Sequence, residues 1–143
     1  MPAKLVKILL ILNFFTFTAN VEAQESSRRT KHQVYSIYIY NFAKYIQWPQ
    51  NYNQNEFVIG ILGEAPLEDE LNKLAKVQKV NGRKIKIIKY EEPNDIAPDC
   101  NILYIPRAKS NALSDVLQIT KNTSTVVVTN KEGLGRTGSL INF

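Results

Sequence analysis

Residues 57–90 read FVIGILGEAPLEDELNKLAKVQKVNGRKIKIIKY, and the order of signals in this stretch decides the fold. Phe57 to Leu62 is a continuous apolar run closed by Gly63. Such a run fits a strand buried on both faces. Pro66 to Lys79 predicts a helix. Proline suits the first turn. Glu68, Asp69 and Glu70 lie near the positive end of the helix dipole, and Lys73, Lys76 and Lys79 lie toward the negative end. Leu67, Leu71, Leu74 and Val77 make its inner stripe. Asn81-Gly82 marks the turn out. Lys84 to Tyr90 then alternates as a second strand, with Ile85 and Ile87 on one face.

The pattern repeats downstream. Glu91 to Asp99 holds Pro93 and Pro98 and has room for one short helical turn around Asp95-Ile96. Asn101 to Ile105 reads as a third strand. Ser110 to Thr120 reads as a second crossover helix, with Leu113, Val116 and Leu117 inward. Ser124 to Thr129 is a β-branched strand, 130–138 a loop, and Ser139 to Phe143 the start of another strand. Strand, helix, strand, strand, helix, strand predicts an α/β fold, with a mostly parallel sheet flanked by helices in a Rossmann-like three-layer domain. The chain stops inside an apolar strand, so either that strand closes the fold or the domain is truncated at its C-terminus. A length of 143 residues, 44% hydrophobic and 22% charged, allows one domain and excludes disorder, collagen and coiled coil.

Upstream, Val34 to Trp48 is rich in aromatic residues. Tyr35, Tyr38, Phe42, Tyr45 and Ile46 fall at helical spacing, which predicts a helix stopped before Pro49. A strand over Val34–Tyr40 is the competing reading by propensity. The helix is apolar around most of its surface, so much of it must be covered by the fold or by a partner. Residues 24–33 are polar and read as a flexible segment. Ahead of them, Lys4 and Lys7 precede the apolar run Ile8–Ala19, and Val21-Glu22-Ala23 fits a small-x-small cleavage site. That is a signal peptide over residues 1–23, cleaved after Ala23, with a run too short to span a bilayer. Losing the leader takes the formal charge from +5 to +4. A charge that small, on dispersed lysines of an exported chain, excludes a nucleic-acid partner.

Few residues here could do chemistry. One His and one Cys exclude a His/Cys metal cluster and an internal disulfide. Cys100 is either a buried small hydrophobe or a thiol that pairs between chains, and burial is the favoured reading. His32 has no Ser or Cys nucleophile near it in sequence. The carboxylates at 68–70 are explained by a helix N-terminus and those at 91–95 by a surface loop. Gly133-Leu134-Gly135-Arg136-Thr137-Gly138 matches G-x-G-x-x-G, but a dinucleotide site needs a helix after the third glycine and an acidic residue about 20 positions on. Neither follows. The motif therefore reads as a glycine turn, in which Arg136 is a solvated arginine on the favoured reading and a grip for an anion or a partner carboxylate on the other. Gly60-x-x-Gly63 closes the first strand where a tight turn needs glycine, which is the favoured reading, and where open α/β sheets also place ligand rims. Asn122-Thr123-Ser124 has the form of a glycosylation sequon. Tyr45, Trp48 and Pro49, with Tyr52 nearby, form an aromatic knot. Trp and Tyr are enriched at interface hot spots, but a core plug at the sheet edge is the favoured reading of the knot.

Tyr38-Ile39-Tyr40-Asn41-Phe42-Ala43-Lys44-Tyr45-Ile46-Gln47-Trp48-Pro49 resembles the opening motif of the YfiR-like family of exported bacterial proteins. Phe57–Gly63, Gly82-Arg83 with the strand after it, Cys100–Ile105, Thr125–Thr129 and Gly138–Phe143 resemble its later strands. The resemblance covers most of residues 31–143. It departs from the family in lacking a further strand region and C-terminal helix, and in lacking the extra cysteines that let some members form internal disulfides. It implies a periplasmic, non-enzymatic regulator that binds the periplasmic sensor part of an inner-membrane diguanylate cyclase, or a receptor such as a sensor kinase. Binding would hold the receptor inactive, with cyclic di-GMP and biofilm as the output. No cofactor and no catalytic or metal residues come with it.

Tyr45, Trp48 and Arg136 are the expected partner-binding residues of such a regulator, acting as a dimer by binding the off state of its receptor more tightly. A periplasmic small-ligand module feeding a sensor kinase or transport system, with Gly63 and Arg136 on the rim of its cleft, is the alternative. An enzyme ranks third.

Overall fold

The first strand expected from the apolar run is β1, Glu56–Leu62, and its last six residues are all buried. The computed structural model describes residues 31–49 and 55–143. The signal peptide at 1–23, most of the polar segment after it, and Tyr52 lie outside the described residues. Tyr35–Phe143 form one compact unit. Helix α1 covers 31–45, so 31–33, expected as part of the flexible segment, are helical. After β1 come α2 (Leu67–Val77), β2 (Lys79–Val80), β3 (Arg83–Tyr90), β4 (Ile102–Ile105), α3 (Leu113–Thr120), β5 (Val126–Thr129) and β6 (Ile141–Asn142). Short 3-10 turns lie at Pro93–Asp95, Arg107–Ala112 and Leu134–Thr137.

The strands form one sheet in the order β2-β3-β1-β4-β5-β6. All neighbours run parallel except β2 with β3. Alternation along β1 divides the core in two. Phe57, Ile59 and Ile61 pack with Ile39 and Ala43 of α1 and with Leu67 and Leu71 of α2. Val58 and Leu62 pack with Leu113 and Val116 of α3. Helices therefore cover both faces, which is the expected three-layer α/β architecture and explains why the central strands carry no polar face.

Helix α3 starts at Leu113, after a 3-10 turn, and not at Ser110, and the ends of the sheet also depart from the expectation. Helix α2 stops at Val77, and Lys79–Val80 pairs back on β3 as a short antiparallel strand. Asn81 and Gly82 both have positive φ, 49° and 83°. Two such residues joining antiparallel strands are the hairpin turn that Asn-Gly favours. The last strand pairs only through Ile141 and Asn142 rather than 139–143, although the Phe143 N–H also donates to the Thr129 carbonyl at 2.8 Å.

Candidate interaction surface

Helix α1 has an inner line and an outer line. Ser36, Ile39 and Ala43 are buried on the sheet, with Tyr35, Phe42 and Ile46 partly buried beside them. The opposite side carries Ile37, Tyr38 and Tyr45, which are 52%, 48% and 76% exposed. The five-residue stripe expected from spacing thus splits. Tyr35, Phe42 and Ile46 go inward, and Tyr38 and Tyr45 go out. Small residues on the inner line let the helix settle close to the strands, and the larger rings take the flanks. The Tyr40 hydroxyl ties the helix to the end of α2, donating to Gln78 Oε1 at 3.0 Å.

Trp48 and Tyr45, expected to act together, have different jobs. Trp48 packs edge-on against Phe57, with ring centroids 5.1 Å apart. Its indole N–H donates to the Ala43 carbonyl at 2.8 Å. That carbonyl belongs to the last turn of α1, where helices leave acceptors unpaired. Trp48 is therefore a plug and a helix cap, and the cap ends α1 at residue 45, ahead of the stop expected before Pro49. Tyr45 faces solvent, with the Lys44 ammonium 5.8 Å from its ring centre.

The outer side of α1 continues onto the sheet edge. Phe143 stacks on Tyr35 at 4.3 Å and lies 6.1 Å from Tyr38. A patch of Ile37, Tyr38 and Tyr45, bordered by Phe143, therefore stands open beside edge strand β6. Exposed apolar side chains grouped on one side of a helix make that side a candidate interaction surface.

At the strand ends, where a cleft is expected, a lysine side chain lies over Gly63. The connections leaving β1 and β4 run over opposite faces, so their C-terminal ends form the switch point where such sheets bind ligands. The Lys109 stem lies across Gly63 there; a Cβ on Gly63 would meet its Cε at 3.0 Å. The Lys109 ammonium donates to the Glu91 carbonyl at 3.0 Å and to Glu92 Oε1 at 3.2 Å. Lys89 pairs with Glu64 beside it, and this carboxylate raises the pKa of the Lys89 ammonium. Arg136 is exposed on the 3-10 turn at Leu134–Thr137. Leu134 and Thr137 of that turn line a groove of about 380 Å³ with Ser110, Leu113 and Leu117; neither Gly63 nor Arg136 does. The G-x-G-x-x-G segment is a turn, with Gly133 and Gly138 at φ 85° and 112° and four residues of 3-10 helix between them.

Cys100 is fully buried. Its thiol donates to the Ile102 carbonyl at 3.2 Å, and burial pushes its pKa up to about 12. A thiol with so little thiolate character, shielded from solvent, is a poor nucleophile. Gly60 makes room for it. A Cβ there would stand 2.6 Å from Tyr90 Cε2 and 2.9 Å from Cys100 Sγ. The acidic run at 91–95 is partly used in a local cap, where the Glu92 N–H donates to Asp95 Oδ2 at 3.0 Å. Asn101 was not singled out from sequence, yet it is fully buried and joins β1 to β4: its Oδ1 accepts the Val58 N–H at 2.9 Å. An Asn opening an apolar strand was the available signal.

Among the described residues no group of three or more His, Cys, Asp or Glu side chains could hold a metal ion. No helix among them is long and apolar enough to cross a membrane. A family model described as DUF4154, YfiR/HmsC-like, matches residues 32–143. No curated protein and no solved structure matches the chain.

Proposed function

The chain belongs to the YfiR/HmsC-like family, and from that membership we propose that it is a periplasmic regulator that binds the sensor part of an inner-membrane diguanylate cyclase and holds it inactive. Residues 1–23 act as the export signal, and residues 34–143 are the regulatory domain. The observation that carries the reading is the outer face of α1. Tyr45, Tyr38 and Ile37 are large, apolar and exposed in the family-matched part of the chain. The fold has already used the inner face of the same helix, so these side chains need another reason to be apolar. Docking would bury them, and aromatic side chains are efficient anchors because they lose little rotamer freedom for the area they cover. The regulator acts by binding one conformation of the receptor better than the other, which shifts the population toward the off state.

Arg136 is outside this surface in the reading, and Trp48 supports it from beneath. The small-ligand alternative is disfavoured by Lys109, whose side chain occupies the strand-end position that a ligand would need. The test is affinity capture from solubilised membranes of the host. Recovery of an inner-membrane protein with a cyclase output is the expected result. Capture of periplasmic or no proteins by a demonstrably folded chain contradicts it.

A further inference from the structure

The β2–β3 hairpin sets Lys79 directly opposite Lys84. Residues paired this way project to the same face, and like charges facing each other across a strand pair are destabilising. Val80 and Ile85 point into the core beneath α1 and α2. Lys79 and Lys84 therefore point to the other face, and alternation along β3 adds Lys86. Glu56 lies beside Lys84 in the parallel register and pairs with Lys86 at 3.2 Å. Of the three ammonium groups, Lys86 is the one that pairs with this carboxylate. Among the described residues, neither Lys79 nor Lys84 has an ion-pair partner. All three lysines are exposed. Just ahead in the chain stand exposed Lys76 and Val77, the latter 77% exposed.

Lysine on an edge strand blocks unwanted strand pairing. One lysine would do that without a repelling neighbour. An anionic partner over both would relieve that repulsion further than water and salt do. An exposed row of cations at a sheet edge fits a plane of phosphates. We propose that this edge docks the protein on a bilayer surface of anionic phospholipid headgroups. Each lysine close to such a surface adds attraction that is screened within a Debye length. The inference rests on export of the chain and not on the identity of its receptor, so vesicles without any receptor test it alone.

The experiment is co-sedimentation of the protein purified from its host, its N-terminus read by mass spectrometry. Vesicles of phosphatidylcholine alone are compared with vesicles that also contain phosphatidylglycerol. The expected result is binding to the second kind only, lost at high salt. Replacing both lysines, Lys79→Gln with Lys84→Gln, weakens it roughly thirty-fold while the thermal midpoint stays level or rises. The charge-matched pair Lys121→Gln with Lys131→Gln leaves most of the binding. Absence of phosphatidylglycerol-dependent binding overturns the proposal. So does equal weakening by both double variants, which would mean a general attraction of net charge with no docking edge.

Discussion

The two sides of helix α1 are both apolar, yet they obey different rules. The inner side carries Ser36, Ile39 and Ala43, all buried, with Ile39 and Ala43 packed with the residues of β1. The outer side carries Ile37, Tyr38 and Tyr45, which stay 48–76% exposed, with Phe143 bordering Tyr38. Hydrophobic periodicity cannot tell these sides apart, because both are apolar at helical spacing. For the aromatic residues, packing and hydrogen bonding can. Trp48 has its indole N–H bonded and its ring against Phe57. Tyr45, three residues earlier, stands in solvent. An aromatic that closes a hydrogen bond and packs inward serves stability, and one that does neither is available to a partner.

The contrast predicts a series of effects, largest first. Trp48→Ala removes a ring from beside Phe57 and uncaps the Ala43 carbonyl. It should cost about 3 kcal/mol of stability, read by chemical denaturation. A cost below about 0.5 kcal/mol would remove Trp48 from the inner side. Gly60→Ala extends the inner side to the second core. Its methyl would press on Tyr90 and Cys100, and overpacking of this kind costs about 1–3 kcal/mol.

A pH titration separates the interior further. Burial raises the Cys100 thiol from 9.0 to about 12 and the Tyr90 hydroxyl from 10.0 to about 12. Both groups hold their protons more tightly folded than unfolded. Their contribution to stability is therefore complete below about pH 9 and is lost as pH rises toward about 12. Unfolding free energy should fall across that window, and Cys100→Ala should flatten the fall. The native thiol should also resist a thiol reagent until the chain unfolds. Rapid labelling of folded protein would place Cys100 at the surface. The smallest effect on stability belongs to Tyr45→Ala, within about 0.5 kcal/mol of the parent.

Most of the fold was legible. Near-continuous apolar runs marked β1 and β4, and consistent charge and stripe signals marked α2, because these reflect burial on both faces and the helix dipole. The β2 hairpin was missed although Asn81-Gly82 announced it. Two residues of strand, Lys79 and Val80, are too few for periodicity to register, and Lys79 also suited a helix end. The end of α1 was misplaced because a side chain from Trp48 replaced a backbone partner, which propensity does not express. The candidate surface was half legible. Tyr45 was named, but Ile37 and Tyr38 became separable from Phe42 only once the sheet showed which side of the helix it takes. The pairing of Lys79 with Lys84 was invisible for the same reason as the hairpin. Gly63 was placed correctly at the end of β1, but nothing local to it announces that Lys109, 46 positions later, would cover it.

The central claim is that the outer side of α1 is the partner surface. Its most direct test is receptor capture by the parent and by the double variant Tyr38→Ala with Tyr45→Ala, each first shown to unfold at the same denaturant midpoint. The account predicts equal folding and at least a tenfold drop in receptor recovered by the variant. Equal recovery of the receptor by both proteins would contradict it.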